Sequence, residues 1–404
     1  MTLPARNTLA IIGAGPVGLE AAVAALDAGF DVHVFERGDV GTHVLAWGHV
    51  RLFTPWRECL GPASVARLTA AGWTAPEPAA LPTGRELVAG YLEPLAALPE
   101  LKGRVHTHAR VLHVGRRGLS KHDVPPDGRA AYPFRLMLLD GGGRENYVHA
   151  FAVIDAGGVY GQPNRAGDGG IPARGEPYLA PQMAYGIDDV LDLRRARYAG
   201  KSTIVIGGGT SAATVACDLA QLAAEAPGTG VTWITREDAR ELYADDAAHP
   251  AARRELCARA RALVGGADPA VRHVGGAVVD GLQYNSATHR YTAALLRGGL
   301  PASEESDHVI VTTGFGPDDS IHRELQVELC PRTQAPLGWA GVLESGSPRP
   351  DFGADALAVR EPRFHVVGAK SYGRMPEFTL ETGYRQVAAV VAMLARELEA
   401  PATR

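Results

Sequence analysis

No Cys-x-x-Cys occurs in this chain of 404 residues; its four cysteines, Cys59, Cys217, Cys257 and Cys330, lie far apart. That spacing excludes a vicinal redox disulfide and offers no zinc-ligand pattern. Each is read as a small, buried or neutral thiol, with Cys330 the one of interest. Lysine is scarce too: Lys102, Lys121, Lys201 and Lys370 are the only ones, so nearly all positive charge is arginine. A net charge of −5 and a pI near 6.3 argue against nucleic acid or an anionic membrane as the main partner. No apolar run approaches the ~20 residues needed to cross a bilayer. Met1-Thr-Leu-Pro-Ala-Arg6 leads directly into a strand-like segment, so no secretory leader and a cytoplasmic location are expected. Gly-x-Ser-x-Gly, P-loop and metalloprotease patterns are missing as well. The histidines, His106 and His108 included, form no ligand cluster, so no metal is expected.

What is present is a soluble composition, 46% hydrophobic and 21% charged, in a chain long enough for two α/β domains. Two glycine-rich turns stand about 195 residues apart: Gly13-Ala-Gly15-Pro16-Val-Gly18 and Gly207-Gly-Gly209-Thr210-Ser211-Ala212. Each follows a β-branched run, Leu9-Ala-Ile-Ile12 or Thr203-Ile-Val-Ile206, and precedes an Ala-rich helical stretch. A dinucleotide pyrophosphate needs close backbone approach, free amides and a helix N-terminus facing it, and strand–glycine turn–helix supplies all three.

The acid–base pattern after each turn separates the two. Glu36 ends the second strand (Asp31-Val-His-Val-Phe35), 21 residues past Gly15. A carboxylate there accepts ribose hydroxyls and disfavours a 2′-phosphate, so FAD or NAD(H) fits and NADP(H) does not. The second turn closes on Ala212, and its following strand ends Thr235-Arg236 with no acid before Glu237. Arg236 suits a bidentate contact to a 2′-phosphate, which favours NADPH over NADH at that site. The longer interval is taken up by the loop Ala226-Pro-Gly-Thr-Gly230.

Between these landmarks the pattern predicts a helix at 17–28, another near 83–97, a strand over 104–114, and a hairpin from Phe134–Leu139 to Tyr147–Ile154 ending in a buried strand. The Gly- and Pro-rich segment Gly161–Pro181 reads as a crossover. A second domain is expected over 195–312, with a helix near 249–263 and strands at 277–284, 290–296 and 308–312. The first domain is then expected to comprise 1–165 and a return segment 313–404 ending in a helix near 380–398. Asp245-Asp246 and His249 read as a surface loop. Residues 41–64 break the periodicity with Trp47, His49, Arg51, Phe53, Trp56 and Arg57, which marks a functional loop.

The N-terminal fingerprint, the strand ending Asp155-Ala-Gly-Gly158, the second fingerprint, Val309-Ile-Val-Thr-Thr-Gly314 and Val366-Val-Gly-Ala369 together resemble the flavoproteins with two dinucleotide-binding domains. That group includes flavin-containing and N-hydroxylating monooxygenases and pyridine-nucleotide–disulfide reductases. The resemblance covers nearly the whole chain. It implies two interleaved Rossmann-like α/β domains of the three-layer ββα, glutathione-reductase-like kind. It further implies FAD extended on the first domain, with Gly13, Gly15, Pro16, Gly18, Glu36, Arg37, Val111, Gly157, Gly368 and Lys370 as candidate contacts. NADPH is implied on the second, with Gly207, Gly209, Thr210, Ser211, Thr235, Arg236 and Gly314. The final helix would aim its N-terminus at the flavin. Two departures stand out: Ala369 replaces the Asp common after the last glycine, and no Phe-x-Gly-x-x-x-His precedes the second turn.

The missing dithiol removes the disulfide-reductase branch. The expectation is an NADPH-consuming flavoenzyme that uses molecular oxygen, through a peroxyflavin, to hydroxylate a small polar substrate. Trp47 and Trp56 would wall the flavin, and His49 would move a proton near neutral pH. Arg51, Arg57, Lys370 and Arg374 would hold a carboxylate-bearing substrate or the NADPH phosphates. A flavin reductase that passes electrons on without oxygen insertion is the first rival, and a non-catalytic dinucleotide sensor the second. A homodimer is compatible with either.

Overall fold

The computed structural model describes residues 5–238, 243, 249–347 and 350–399. Two compact units emerge: unit 1 comprises 1–162 with 316–404, and unit 2 comprises 163–315.

Unit 1 opens with strand β1 (Thr8–Ile12), helix α1 (Pro16–Asp27) and strand β2 (Asp31–Phe35). Pro16 supplies a ready-set first helical position, and Gly29, at φ +83°, turns the chain back toward the sheet. After helix α2 (Pro62–Ala70) comes the helical run expected at 83–97, which forms in pieces: Gly84–Leu87, a π-turn at Val88–Leu92, and Glu93–Ala96. Pro94 has no N–H to give the Gly90 carbonyl, and the Trp73 indole N–H donates there instead, at 3.0 Å. The strand expected over 104–114 divides into β3 (Val105–His106) and β4 (Arg110–Arg116). The hairpin is β5 (Phe134–Leu139) with β6 (Glu145–Ala150), and the buried strand β7 (Ala152–Asp155) leaves it for another sheet.

Unit 2 holds β8 (Ala184–Tyr185), β9 (Ser202–Ile206), helix α3 (Thr210–Glu225), β10 (Gly230–Ile234), helix α4 (Ala251–Val264) and β11 (Val271–Val274). Three antiparallel strands follow, β12 (Ala277–Asn285), β13 (Arg290–Arg297) and β14 (Leu300–Ser306), and then β15 (His308–Val311). The chain re-enters unit 1 with β16 (Phe364–Val366) and helix α5 (Leu380–Glu399).

Each unit is a three-layer α/β body. In unit 1 the parallel sheet runs β16–β7–β1–β2–β3, and β4–β5–β6 form a separate antiparallel sheet. The sheet face bearing Leu9, Ile11, Val32 and Val34 packs with α1 and α5. The opposite face, bearing Ala10, Ile12, Phe35 and Val153, packs against Val114, Phe134 and Leu136 of the antiparallel sheet. Period-two alternation therefore serves two cores at once. Unit 2 repeats the plan with the order β11–β10–β9–β15–β8 and the sheet β12–β13–β14. Helices α3 and α4 cover one face and the antiparallel strands the other. A buried carboxylate ties the return segment into unit 1: Glu361 accepts from Arg116 Nε at 2.8 Å and Arg129 Nε at 3.0 Å. Burial pushes the Arg116 guanidinium down to about 10 despite that partner.

Candidate functional site

The glycines of the first turn have different duties. A Cβ on Gly18 would stand 1.9 Å from the Gly13 carbonyl oxygen, and one on Gly13, at φ +97°, would stand 2.8 Å from the Ala156 oxygen. Both positions are jammed against backbone. A Cβ on Gly15 would meet no protein atom within 4 Å, and Gly15 is the N-cap of α1 without any side-chain cap. The turn thus offers a helix N-terminus with a clear approach, the shape a pyrophosphate requires. Gly383 of α5 comes so close to Val17 of α1 that a Cβ would lie 2.8 Å from the Val17 methyl. Gln386 then locks the Gly368 turn to α5 by accepting from the Gly368 N–H at 2.8 Å.

Glu36 is buried and anchored at both oxygens, accepting from the Ala14 amide at 2.9 Å and the Gly38 amide at 3.0 Å. It faces two adjoining cavities of unit 1. The larger, about 230 Å³, is mainly apolar and includes Gly15, Pro16, Trp47, Tyr160, Phe378 and Leu380 in its wall. The smaller, about 130 Å³, is polar and is bordered by Arg37, Val111, Asp155, Asp318 and Lys370. Gly157 and His43 border both. Residues and shape fit an extended dinucleotide: an anion cradle and ribose acceptor flanked by one apolar and one polar chamber.

Of the four residues expected to do catalysis, only Trp47 reaches a cavity wall, its ring braced against Gly84, where a Cβ would lie 2.8 Å away. Trp56 is a core residue instead, because the short helix Trp56–Cys59 turns it inward toward Gly90. His49 is half-buried and borders neither cavity. Arg51 is exposed and bonds the Leu81 carbonyl, with Glu86 3.8 Å away. The cation cluster expected for a carboxylate substrate is not assembled either. Arg57 pairs with Glu58, and Arg374 bonds Gln334 at 2.6 Å. Lys370 is buried in an ion pair, its Nζ 2.5 Å from Asp155 Oδ2, while Asp155 Oδ1 accepts from the Gly157 amide at 3.0 Å. Its charge holds the cavity wall together and is spent there.

Sequence reasoning missed His43, Tyr160, Phe378 and Leu380. His43 stands seven residues after Glu36 and two after Gly41, which is at φ +68°, a place that no periodicity in the sequence marks. Burial first, and the Arg37 guanidinium second, hold the His43 imidazole down to about 4. The thiols stand apart from this site: all four are buried, and none borders either cavity. Burial pushes Cys59 up to about 12 and Cys217 up to about 11.

In unit 2 the second turn has the same division of labour. Gly207, at φ +139°, would bring a Cβ within 2.6 Å of the Thr312 hydroxyl, whereas Gly209 is open and caps α3 without a side chain. The Trp233 indole donates to the Gly207 carbonyl at 2.8 Å and the Tyr243 hydroxyl to the Gly209 carbonyl at 3.0 Å, fixing the loop from behind. Thr210 and Ser211 form the first turn of α3. Thr235 faces inward: its hydroxyl donates to the Glu237 carbonyl at 2.7 Å and lies 2.8 Å from His273 Nε2. Arg236, next in sequence, is exposed. Gly314 is held by Asn164, whose backbone N–H donates to the Gly314 carbonyl at 3.0 Å. Asp245 and Asp246 lie outside the described residues.

No protein-family model and no curated protein matches the sequence. Solved structures do match its fold. The chain is similar to the bacillithiol disulfide reductase Bdr (YpdA) from Bacillus cereus, with TM-score 0.70 and 19% identity over 97% of this chain and 99% of that one. It is similar to the ornithine hydroxylase PvdA from Pseudomonas aeruginosa, with TM-score 0.64 and 15% identity over 97% and 100%. It is also similar to the Kutzneria sp. 744 ornithine N-hydroxylase KtzI, solved with FADred, NADP+ and L-orn, with TM-score 0.60 and 15% identity over 98% and 100%. The chain therefore carries the fold of the two-dinucleotide-binding-domain flavoproteins. Reductases and N-hydroxylases both use that fold, so its chemistry has to be argued from the site.

Proposed function

We propose that this protein is an FAD-dependent, NADPH-consuming oxidoreductase, and within that class a monooxygenase that hydroxylates a small polar substrate. The carrying observation is the first turn, where the open Gly15 position at the uncapped end of α1 stands beside a Glu36 carboxylate held by two amides. Gly13, Gly15 and Gly18 would hold the FAD diphosphate and Glu36 its ribose, with Val111, Gly157 and Gly368 alongside. Gly207, Gly209, Thr210 and Ser211 would hold the NADPH diphosphate, and exposed Arg236 its 2′-phosphate. Bound FAD supplies hydride acceptance and reaction with oxygen. The protein's part is to orient it and keep water out, for which Trp47, Tyr160, Phe378 and Leu380 provide an apolar wall.

The overall reaction balances as substrate–H, O₂, NADPH and a proton giving substrate–OH, water and NADP+. A thiol relay has no support, since no cysteine borders either cavity. The similarity to KtzI and PvdA supports the flavoprotein fold that the oxygenase reading needs, a fold the reductase YpdA shares.

The test is the visible spectrum of the purified chain, then anaerobic titration with NADPH against NADH, then aeration with candidate amines in heavy-isotope oxygen. Bleaching at about 450 nm by NADPH, with label in the product, supports the reading. Hydrogen peroxide formed one-for-one with NADPH, whatever the substrate, reduces it to a flavin reductase. A chain that takes up no flavin overturns it, and flavin that NADPH never bleaches leaves a sensor.

A further inference from the structure

His43 faces the same space as the open Gly15 position and the anchored Glu36. It sits on the short helix Thr42–Leu45, at the wall common to the two cavities of unit 1. The Arg37 guanidinium bonds its Nε2. A guanidinium only donates, so Nε2 is the acceptor, and the neutral ring carries its proton on Nδ1. That nitrogen points to the backbone turn at Gly158, 3.8 Å from where a Cβ there would stand.

We propose that His43 is a proton-accepting member of the dinucleotide cradle: it binds a proton when an anionic diphosphate enters unit 1, so dinucleotide uptake is linked to pH. This rests on the reading of unit 1 as the FAD-binding unit. The surrounding charges support it. Glu36 is committed to the Ala14 and Gly38 amides, and Asp39 pairs with His108 at 3.1 Å. Across the polar cavity Asp155 is neutralised by Lys370, Asp318 accepts from Ser320, and Arg110 adds a further cation. Tyr160 presents its ring, 6.1 Å away and tilted. Of these groups Arg37, bonded directly to the ring, is the charge that acts on His43, and burial with Arg37 keeps the imidazole neutral down to about 4.

A diphosphate at the N-terminus of α1 opposes the second of these causes and sets a negative charge against the first. Its two negative charges attract the Arg37 donors, freeing Nε2, and favour the imidazolium. The ligand itself does not titrate between pH 5.5 and roughly 8.5, so the proton must come to the protein.

If the bound imidazole returns to its ordinary value of 6.5, linkage from about 4 makes binding roughly tenfold tighter at pH 5.5 than at 7.5, and flat above that. The experiment is calorimetric titration of FAD into the flavin-freed full chain at several pH values, in buffers of contrasting ionisation heat. His43→Gln, whose amide oxygen still accepts from Arg37, is measured beside it. The expected result is fractional proton uptake and a falling affinity with pH in the wild type, both absent in His43→Gln. Arg37→Gln, which removes the cation, is expected to shrink the uptake at pH 5.5 because the free protein already holds part of that proton. It serves as the second variant if His43→Gln does not fold. No proton uptake by the wild type, or an equal pH slope in the wild type and a folded His43→Gln, overturns the proposal alone. Failure of the wild type to bind FAD at any pH overturns the functional reading on which it rests.

Discussion

Replacing Lys370 with methionine keeps most of the side-chain volume but leaves Asp155 buried beside the cavity without its cation. The pair is enclosed: the Asp155 side chain is 0% exposed and Lys370 only 3%. Asp155 keeps one bond, from the Gly157 amide, which does not neutralise a charge. Removing one partner of such a pair costs about 3–5 kcal/mol, whereas replacing both by neutral groups is close to neutral. The double variant Asp155→Asn/Lys370→Met, whose Asn oxygen still accepts from Gly157, is therefore expected to recover most of the loss. Urea unfolding followed by tryptophan fluorescence suits the measurement, because Trp47, Trp56, Trp73 and Trp339 all lie in unit 1 and only Trp233 in unit 2. With a slope of about 2–3 kcal/mol per M, the single variant should lower the unit 1 midpoint by about 1–2 M. A midpoint within about 0.3 M of wild type, or a double variant no better than the single, refutes the argument that this lysine is consumed structurally.

Gly18→Ala places a methyl group against the Gly13 carbonyl and should lower the melting temperature of unit 1, with a cost of about 1–3 kcal/mol. Gly15→Val meets no protein atom within 4 Å at its Cβ, so it should melt near wild type yet emerge without flavin colour; colour retained would remove the turn from the cofactor site. Arg236→Ala should weaken NADPH binding by about 10- to 100-fold, the worth of a charge-assisted contact, and leave NADH unchanged. An unchanged NADPH preference in fluorescence titration would sink the phosphate assignment. Cys330, whose thiol is held below its ordinary value by bonds at Thr333, should be the first cysteine alkylated at mildly alkaline pH. Cys59 and Cys217, pushed up by burial, should react slowest, and mass spectrometry of the labelled peptides checks the order.

The glycine turns and Glu36 were legible because they are local. A β-branched run, a tight turn and an Ala-rich helix fit within about 30 residues, and the acid's interval is set by one βαβ unit. The strands that escaped are those that hydrophobic patterning cannot mark. β14 is an exposed edge strand reading Leu-Pro-Ala-Ser-Glu-Glu-Ser, and β11 has four residues. The loop at 41–64 was recognised by residue type, but which side chains it turns to the cavity is decided by tertiary packing. Trp56 is carried into the core by a one-turn helix, and Lys370 is claimed by a carboxylate 215 residues away. His43 carries no periodic signal at all; only its neighbours in space mark it.

The main chain departs from unit 1 at Gln162 and resumes there at Gly316, and the Gly316 amide donates to the Gln162 carbonyl at 2.9 Å. The loose ends left by deleting everything between them would already touch. A one- or two-residue splice is enough to rejoin them, with no strand of the β16–β7–β1–β2–β3 sheet cut. Such a shortened polypeptide would be a miniature carrying the Gly15 cradle alone, in which flavin capture can be studied free of any nicotinamide.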